Sequence, residues 1–155
     1  MTPLPPQLGP AFLLVTVLAG SPAPEAGPCD DPLPIDPQVV TKEMNLKAFR
    51  GAKPVGPACY LSWEGDSHPG IIIYGPSGLA DVGRKFTSSK QAADQYAGEA
   101  PKGVEPVPGV ANGYMVFDPK IPNRRIFVQY KHQVYMIVSQ DKVPLGILAK
   151  AVIQQ

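Results

Sequence analysis

The sequence predicts an α+β sandwich, an antiparallel sheet of about five strands with helices packed on one face. Three observations predict it. Short β-branched or alternating apolar runs recur from residue 59 onward, joined by turns too short for a crossover, so neighbouring strands run antiparallel. Other segments space their apolar residues three or four apart, the helical period. Each of those helical stripes needs a sheet face on which to bury itself.

The elements follow in order. Asp36 and Pro37 open a first helix over about 37–49, because Asp caps orphan amides and Pro is tolerated at the first helical position. Val39, Val40, Met44, Leu46 and Phe49 form its apolar face, and Gly51 after Arg50 reads as its left-handed C-cap. Gly56 and Pro57 then turn the chain. Residues 59–63 alternate, with Cys59, Leu61 and Trp63 on one side and Tyr60 and Ser62 on the other, so they read as a strand. Residues 71–74, three isoleucines and Tyr74, are its antiparallel partner, and residues 75–78 read as a β-turn that ends it.

Leu79, Val82 and Phe86 have helical spacing that Gly83 interrupts. Ser88 with Gln91 three residues later fits a capping box and starts a helix through about Ala97. Residues 98–108 read as a loop. Residues 113–117, 125–130 and 134–139 read as three strands in a meander, with the tight second turn at Lys131, His132 and Gln133. A last helix starts near Val143 and Pro144 and runs to about Ile153, with Leu145, Leu148 and Val152 on one side.

Ahead of this domain lies a different composition. Ala11–Gly20 is uncharged and apolar, followed by small residues from Ala19 to Ala23. The run is too short to span a bilayer as a helix, which needs about twenty residues, and suits the centre of an export signal. The expected organisation is therefore a signal peptide over about 1–21, a Pro-rich lead-in over 22–35, and one α+β domain over 36–155. Residues 17–21 follow a lipobox pattern, with Ser21 where an acylated Cys would stand, and serine cannot receive that lipid. The expected location is secreted or in the cell envelope.

The formal net charge of +1 and the lack of a basic stripe argue against nucleic acid as a partner. Two cysteines, Cys29 and Cys59, in an exported chain favour a disulfide, worth about 3.5 kcal/mol for a loop of this size. Two buried thiols or a metal pair are the alternatives, and a metal needs three or four ligands. His68, next to Asp66, and His132 both fall in turns, and the sequence names no orienting partner with a nucleophile in reach of either. His132 with Met136 offers only two ligands to copper. Residues 87–89 supply hydroxyls without a nucleophile elbow, and residues 75–78 lack the Gly-Lys-Ser/Thr of a phosphate loop. No catalytic residue, metal or cofactor is expected.

Aromatic residues are the more informative set. Tyr60, Tyr74, Tyr114, Tyr130 and Tyr135 fall on predicted strands, beside Trp63, Phe117 and Phe127. Alternation forbids all of them from facing one side. Those on an uncovered face would form a recognition surface, since Tyr joins apolar area to a hydroxyl.

The run Cys29–Pro32, the strand Cys59–Trp63, the link Val107–Ala111 into an aromatic strand at Tyr114, the strand around Tyr135 and the terminal helix at Leu148–Val152 together resemble a family. It comprises small exported domains and lipoproteins of unknown function from mycobacteria and related high-GC bacteria, with a PsbP-like fold. The resemblance covers about 125 residues and implies the Cys29–Cys59 disulfide, an envelope location and that sandwich. It implies no catalytic residues. The function expected is a secreted or envelope binding module that contacts a protein partner or small apolar ligand through one sheet face. Such a module would meet a membrane only through an envelope complex. A small hydrolase or metal-dependent enzyme, and a structural accessory subunit, are the alternatives.

Overall fold

The computed structural model describes residues 3, 27–65, 70–98, 103–117, 123–140 and 143–154. Nearly all of the expected signal segment, residues 22–26 of the lead-in and His68 lie outside the described residues. The chain forms an α+β fold on one antiparallel sheet of seven strands. Its elements are α1 (Pro37–Glu43), β1 (Phe49–Val55), β2 (Ala58–Trp63), β3 (Ile71–Tyr74), α2 (Pro76–Asp81), α3 (Ser89–Ala97), β4 (Val104–Pro106), β5 (Tyr114–Phe117), β6 (Asn123–Tyr130), β7 (Gln133–Gln140) and α4 (Leu145–Ala151). The strand order is β1-β2-β3-β7-β6-β5-β4, which places the two longest strands near the middle.

Two corrections concern the sheet's size. The first helix ends at Glu43, well short of residue 49. Its left-handed terminator is Asn45, at φ 51°, and Leu46 N–H closes the turn by donating to the Thr41 carbonyl at 2.9 Å. Phe49 then begins an edge strand, and Gly51, at φ 127°, sits at a register shift in that strand instead of capping a helix. An edge strand tolerates Pro54, the residue that hid it in the sequence. At the other edge, β4 arises inside the expected 98–108 loop, again with a proline, Pro106. The count is seven strands, where about five were expected.

A third correction concerns the layers. Helices lie on both faces of the sheet. One face carries Cys59, Leu61, Trp63, Ile71, Ile73, Ile126, Val128 and Ile137, and buries them with Val40 of α1 and Leu148 and Ala151 of α4. The other face carries Phe127, Val134 and Met136, covered by Leu79 of α2 and Ala92, Ala93 and Tyr96 of α3. Both faces of β6 and β7 are apolar, so both need cover. The second helix group exists because residues 75–78 are not a turn: Gly75 precedes the helix, Pro76 takes its first position, and Gly83, at φ 76°, follows its end.

The α1–α4 face is the more firmly tied. Trp63 Nε1 donates to Thr41 Oγ1 at 2.8 Å, and Phe49 packs on the Trp63 ring at 5.1 Å. The lead-in joins the C-terminus: Ile35 bridges Val152, Asp36 N–H donates to the Ala151 carbonyl, and Ile153 N–H donates to the Pro34 carbonyl, both at 2.8 Å. Cys29 is bonded to Cys59 of β2, with α-carbons 5.0 Å apart across a separation of 30 residues. Opposite, Ser88 caps α3 by accepting from Gln91 N–H at 3.1 Å. Gln91 reaches back to the Thr87 amide, one residue before the position a strict capping box uses.

Two stability outcomes follow. Replacing both cysteines by Ala lowers unfolding free energy by about 3 kcal/mol, read from denaturant midpoints, because the unfolded chain regains the freedom of a long loop. Gly78→Ala stabilises an ordinary helix by up to about 1 kcal/mol. Here a Cβ would overlap the Pro57 carbonyl oxygen, so the sign reverses and thermal denaturation shows a loss of about 1–3 kcal/mol.

Candidate functional site

Strand pairing sorts the predicted tyrosines by face. Tyr60, Tyr74 and Tyr114 lie on the α2–α3 face, and all three are half-buried. Tyr130 and Tyr135 point to the opposite face and are core residues, 8% and 4% exposed, with their rings edge-on at 6.0 Å. These two therefore leave the expected recognition surface, because a period of two cannot put Tyr135 and Met136 on one side. Burial pushes the Tyr135 hydroxyl above the ordinary tyrosine range, with Asp31 and Tyr130 adding to the effect.

On the α2–α3 face, one row of paired residues crosses the whole sheet. It runs Lys53, Tyr60, Ile72, Val138, Arg125, Val116 and Val104, from β1 to β4. Val116 is buried, whereas Tyr60, Ile72, Val138 and Arg125 are half-buried and Lys53 is exposed. Coverage explains the gradient. Helix α3 packs on β4, β5, β6 and β7, and α2 on β3 and β7, which among the described residues leaves the β1–β2 part of this face open. Lys53 Nζ stands 5.7 Å above the Tyr60 ring at the open end.

Farther along the row, at Val138, Arg125 and Val116, a cavity of about 350 Å³ lies between the sheet, α3 and the segment after α2. Tyr74, Val116, Asn123, Arg125, Met136 and Val138 line it from the sheet, Tyr96 from α3, and Val82 and Arg84 from the segment after α2. Two guanidinium groups share the Tyr96 ring: the Arg84 carbon is 4.8 Å from its centroid and that of Arg125 is 5.2 Å away. Tyr96 packs in turn on Phe127 at 5.1 Å, so the ring that holds both arginines is anchored in the core. Val82 remains 47% exposed at the rim. The described lining contains no carboxylate. A larger cleft of about 620 Å³ is lined by Asp31 beside the disulfide segment, by Gly56 and Pro57 of the β1–β2 turn, and by α2 residues including Asp81.

The hydroxyls of residues 87–89 are structural. Ser88 is the cap, and Ser89 is buried and donates to the Asn112 carbonyl. His132 sits exposed in the β6–β7 turn, while Met136 packs in the α2–α3 core, so the two do not converge. Among the described residues no three His, Cys, Asp or Glu side chains group as metal ligands would.

The sequence reading missed Arg84, Tyr96, Asn123 and Arg125. The available signal was Arg125, a charge two residues before Phe127 on a predicted strand and therefore on the same face as that ring. No family model, curated protein or solved structure matches this chain.

The Tyr135 shift carries a pH outcome. Its folded pKa is raised above the unfolded value of about 10, so its stabilisation is fully present below that value and is lost as pH rises through the folded pKa. Unfolding free energy measured from pH 7 to 11.5 falls on the alkaline limb, and Tyr135→Phe makes that limb shallower.

Proposed function

We propose that this protein is an exported binding module that engages its partner through the open part of the α2–α3 sheet face, without catalysis. The single observation that carries the reading is the row from Lys53 through Tyr60, Ile72 and Val138 to Arg125: an apolar and aromatic floor with cations at both ends. A face made only to be solvated would not keep Ile72 and Val138 beside Tyr60 on adjacent strands.

Export is supported by the apolar run Ala11–Gly20 and by the Cys29–Cys59 bond, which persists in oxidising compartments. Among the described residues no helix is long and apolar enough to cross a membrane. The resemblance to small exported domains with a PsbP-like fold points the same way. A protein partner and a small apolar ligand both suit such a surface.

The test compares immobilised wild type with Ile72→Asp and Tyr60→Ala after incubation with culture filtrate and envelope extract, using mass spectrometry for bound proteins and small molecules. Circular dichroism checks that the variants are folded. At least one species is expected on the wild type and at least ten-fold less of it on both variants. Equal retention by all three proteins overturns the reading.

A further inference from the structure

We infer that the cavity at the Arg125 end of the row binds the anionic head group of a single-chain amphiphile, a carboxylate or a phosphate ester, whose apolar chain lies over Val138 and Ile72 toward Tyr60. This rests on the open-face reading above and gives that face a ligand class.

The head-group site stands on Arg125 and Tyr96. A guanidinium offers five N–H donors in one rigid plane, a match for the oxygens of a carboxylate or phosphate. Long Arg side chains ordinarily lose much rotamer freedom when they bind. Holding Arg125 against a ring anchored on Phe127 reduces that loss in advance. Arg84 approaches the same ring and has further contacts of its own, so Arg125 is the residue on which the test turns. Arg125 set among apolar walls focuses a positive potential into the cavity. Tyr74 and Asn123 add a hydroxyl and a carboxamide to the lining.

The rest of the lining selects an amphiphile over a bare anion. Val82, Val116, Met136 and Val138 give the cavity an apolar side that a hydrated inorganic ion cannot use. A neutral apolar ligand, conversely, would strip water from the guanidinium groups without replacing it. Val138 belongs to both the cavity and the row, so a chain leaving the cavity meets Ile72 and then Tyr60, about 10 Å away across two strand spacings. That continuity from charged pocket to apolar floor favours one flexible acyl or alkyl chain over a folded partner.

The experiment titrates the full, disulfide-bonded chain, uniformly labelled with nitrogen-15, with five probes below their micellar concentrations: dodecanoate, dodecyl phosphate, dodecanol, dodecyltrimethylammonium and inorganic phosphate. Backbone amides of Arg125, Val138 and Ile72 are followed. Saturable shifts are expected with dodecanoate or dodecyl phosphate, and at least ten-fold weaker binding of the neutral and cationic probes. The tighter of the two anions distinguishes a fatty acid from a phosphate ester. Inorganic phosphate alone should leave Ile72 unmoved and bind at least ten-fold more weakly than dodecyl phosphate. Arg125→Gln should weaken the anionic probes at least ten-fold. Raising salt from about 0.05 to about 0.5 M should weaken them in the wild type, a readout that does not depend on any variant folding.

Equal binding of dodecanol, an unaffected and folded Arg125→Gln variant, or insensitivity to salt overturns the inference and leaves the open-face reading intact. Shifts from no amphiphile overturn it too, and the extract experiment then judges the open face alone. Displacement of dodecanoate by an acidic peptide at lower concentration overturns the amphiphile in favour of a protein partner.

Discussion

The register of the β6–β7 hairpin is the constraint on which the rest of the molecule depends. Its ladder pairs all eight residues of Asn123–Tyr130 with Gln133–Gln140. Side chains alternate across it, with Ile126, Val128 and Ile137 serving one core and Phe127 and Met136 the other. A slip of one residue would exchange the two sets and leave neither helix pair a surface to pack on. The connecting turn does not make that register easy. Lys131 and His132 both adopt positive φ, 49° and 62°, at positions where Asn-Gly is usual, a penalty of about 1–2 kcal/mol each. The long ladder and the burial on both of its faces offset that penalty.

From this hairpin the two faces diverge. On one side α1 and α4 are held by Trp63 against Thr41, by the Ile35–Val152 bridge and by Cys29–Cys59, so that face is closed from β2 across to β6. On the other, α2 and α3 are joined by a segment that bends at Gly83 and carries Arg84 to the Tyr96 ring. They cover the row through Tyr74, Met136 and Phe127, whereas part of the neighbouring row from Lys53 to Arg125 stays open to solvent. The candidate site thus arises from incomplete coverage. A sheet apolar on both sides received a full layer on one face and a partial layer on the other, and its cations lie where the partial layer ends.

Some of this was legible in the chain. Ser88 with Gln91 announced the start of α3, because a cap is a local hydrogen-bonding arrangement written within four residues. The β-branched and aromatic runs at residues 125–130 and 134–139, separated by a tight turn, announced β6 and β7 for the same local reason. The edge strands were not legible. Gly51 and Pro54 in β1, and Pro106 in β4, are residues that locally favour turns, and they form strands only because a neighbouring strand supplies the ladder. Gly78 also misled: in sequence it marks a turn, while in the fold it lets α2 approach the Pro57 carbonyl.

The sequence by itself determined the α+β class, the central strands, the α3 cap and the cysteine pair that bonds, each of which follows from local pattern or from a count. Tertiary structure alone decided that helices cover both faces, that Tyr130 and Tyr135 are interior while Tyr60 and Tyr74 share the opposite face, and that Arg84, Tyr96 and Arg125 meet. The reason is separation along the chain. The three residues of that cluster come from a loop, a helix and a strand, and no periodicity or spacing rule connects them. Only the packing of α3 across β5 and β6 places the Tyr96 ring between two guanidinium groups.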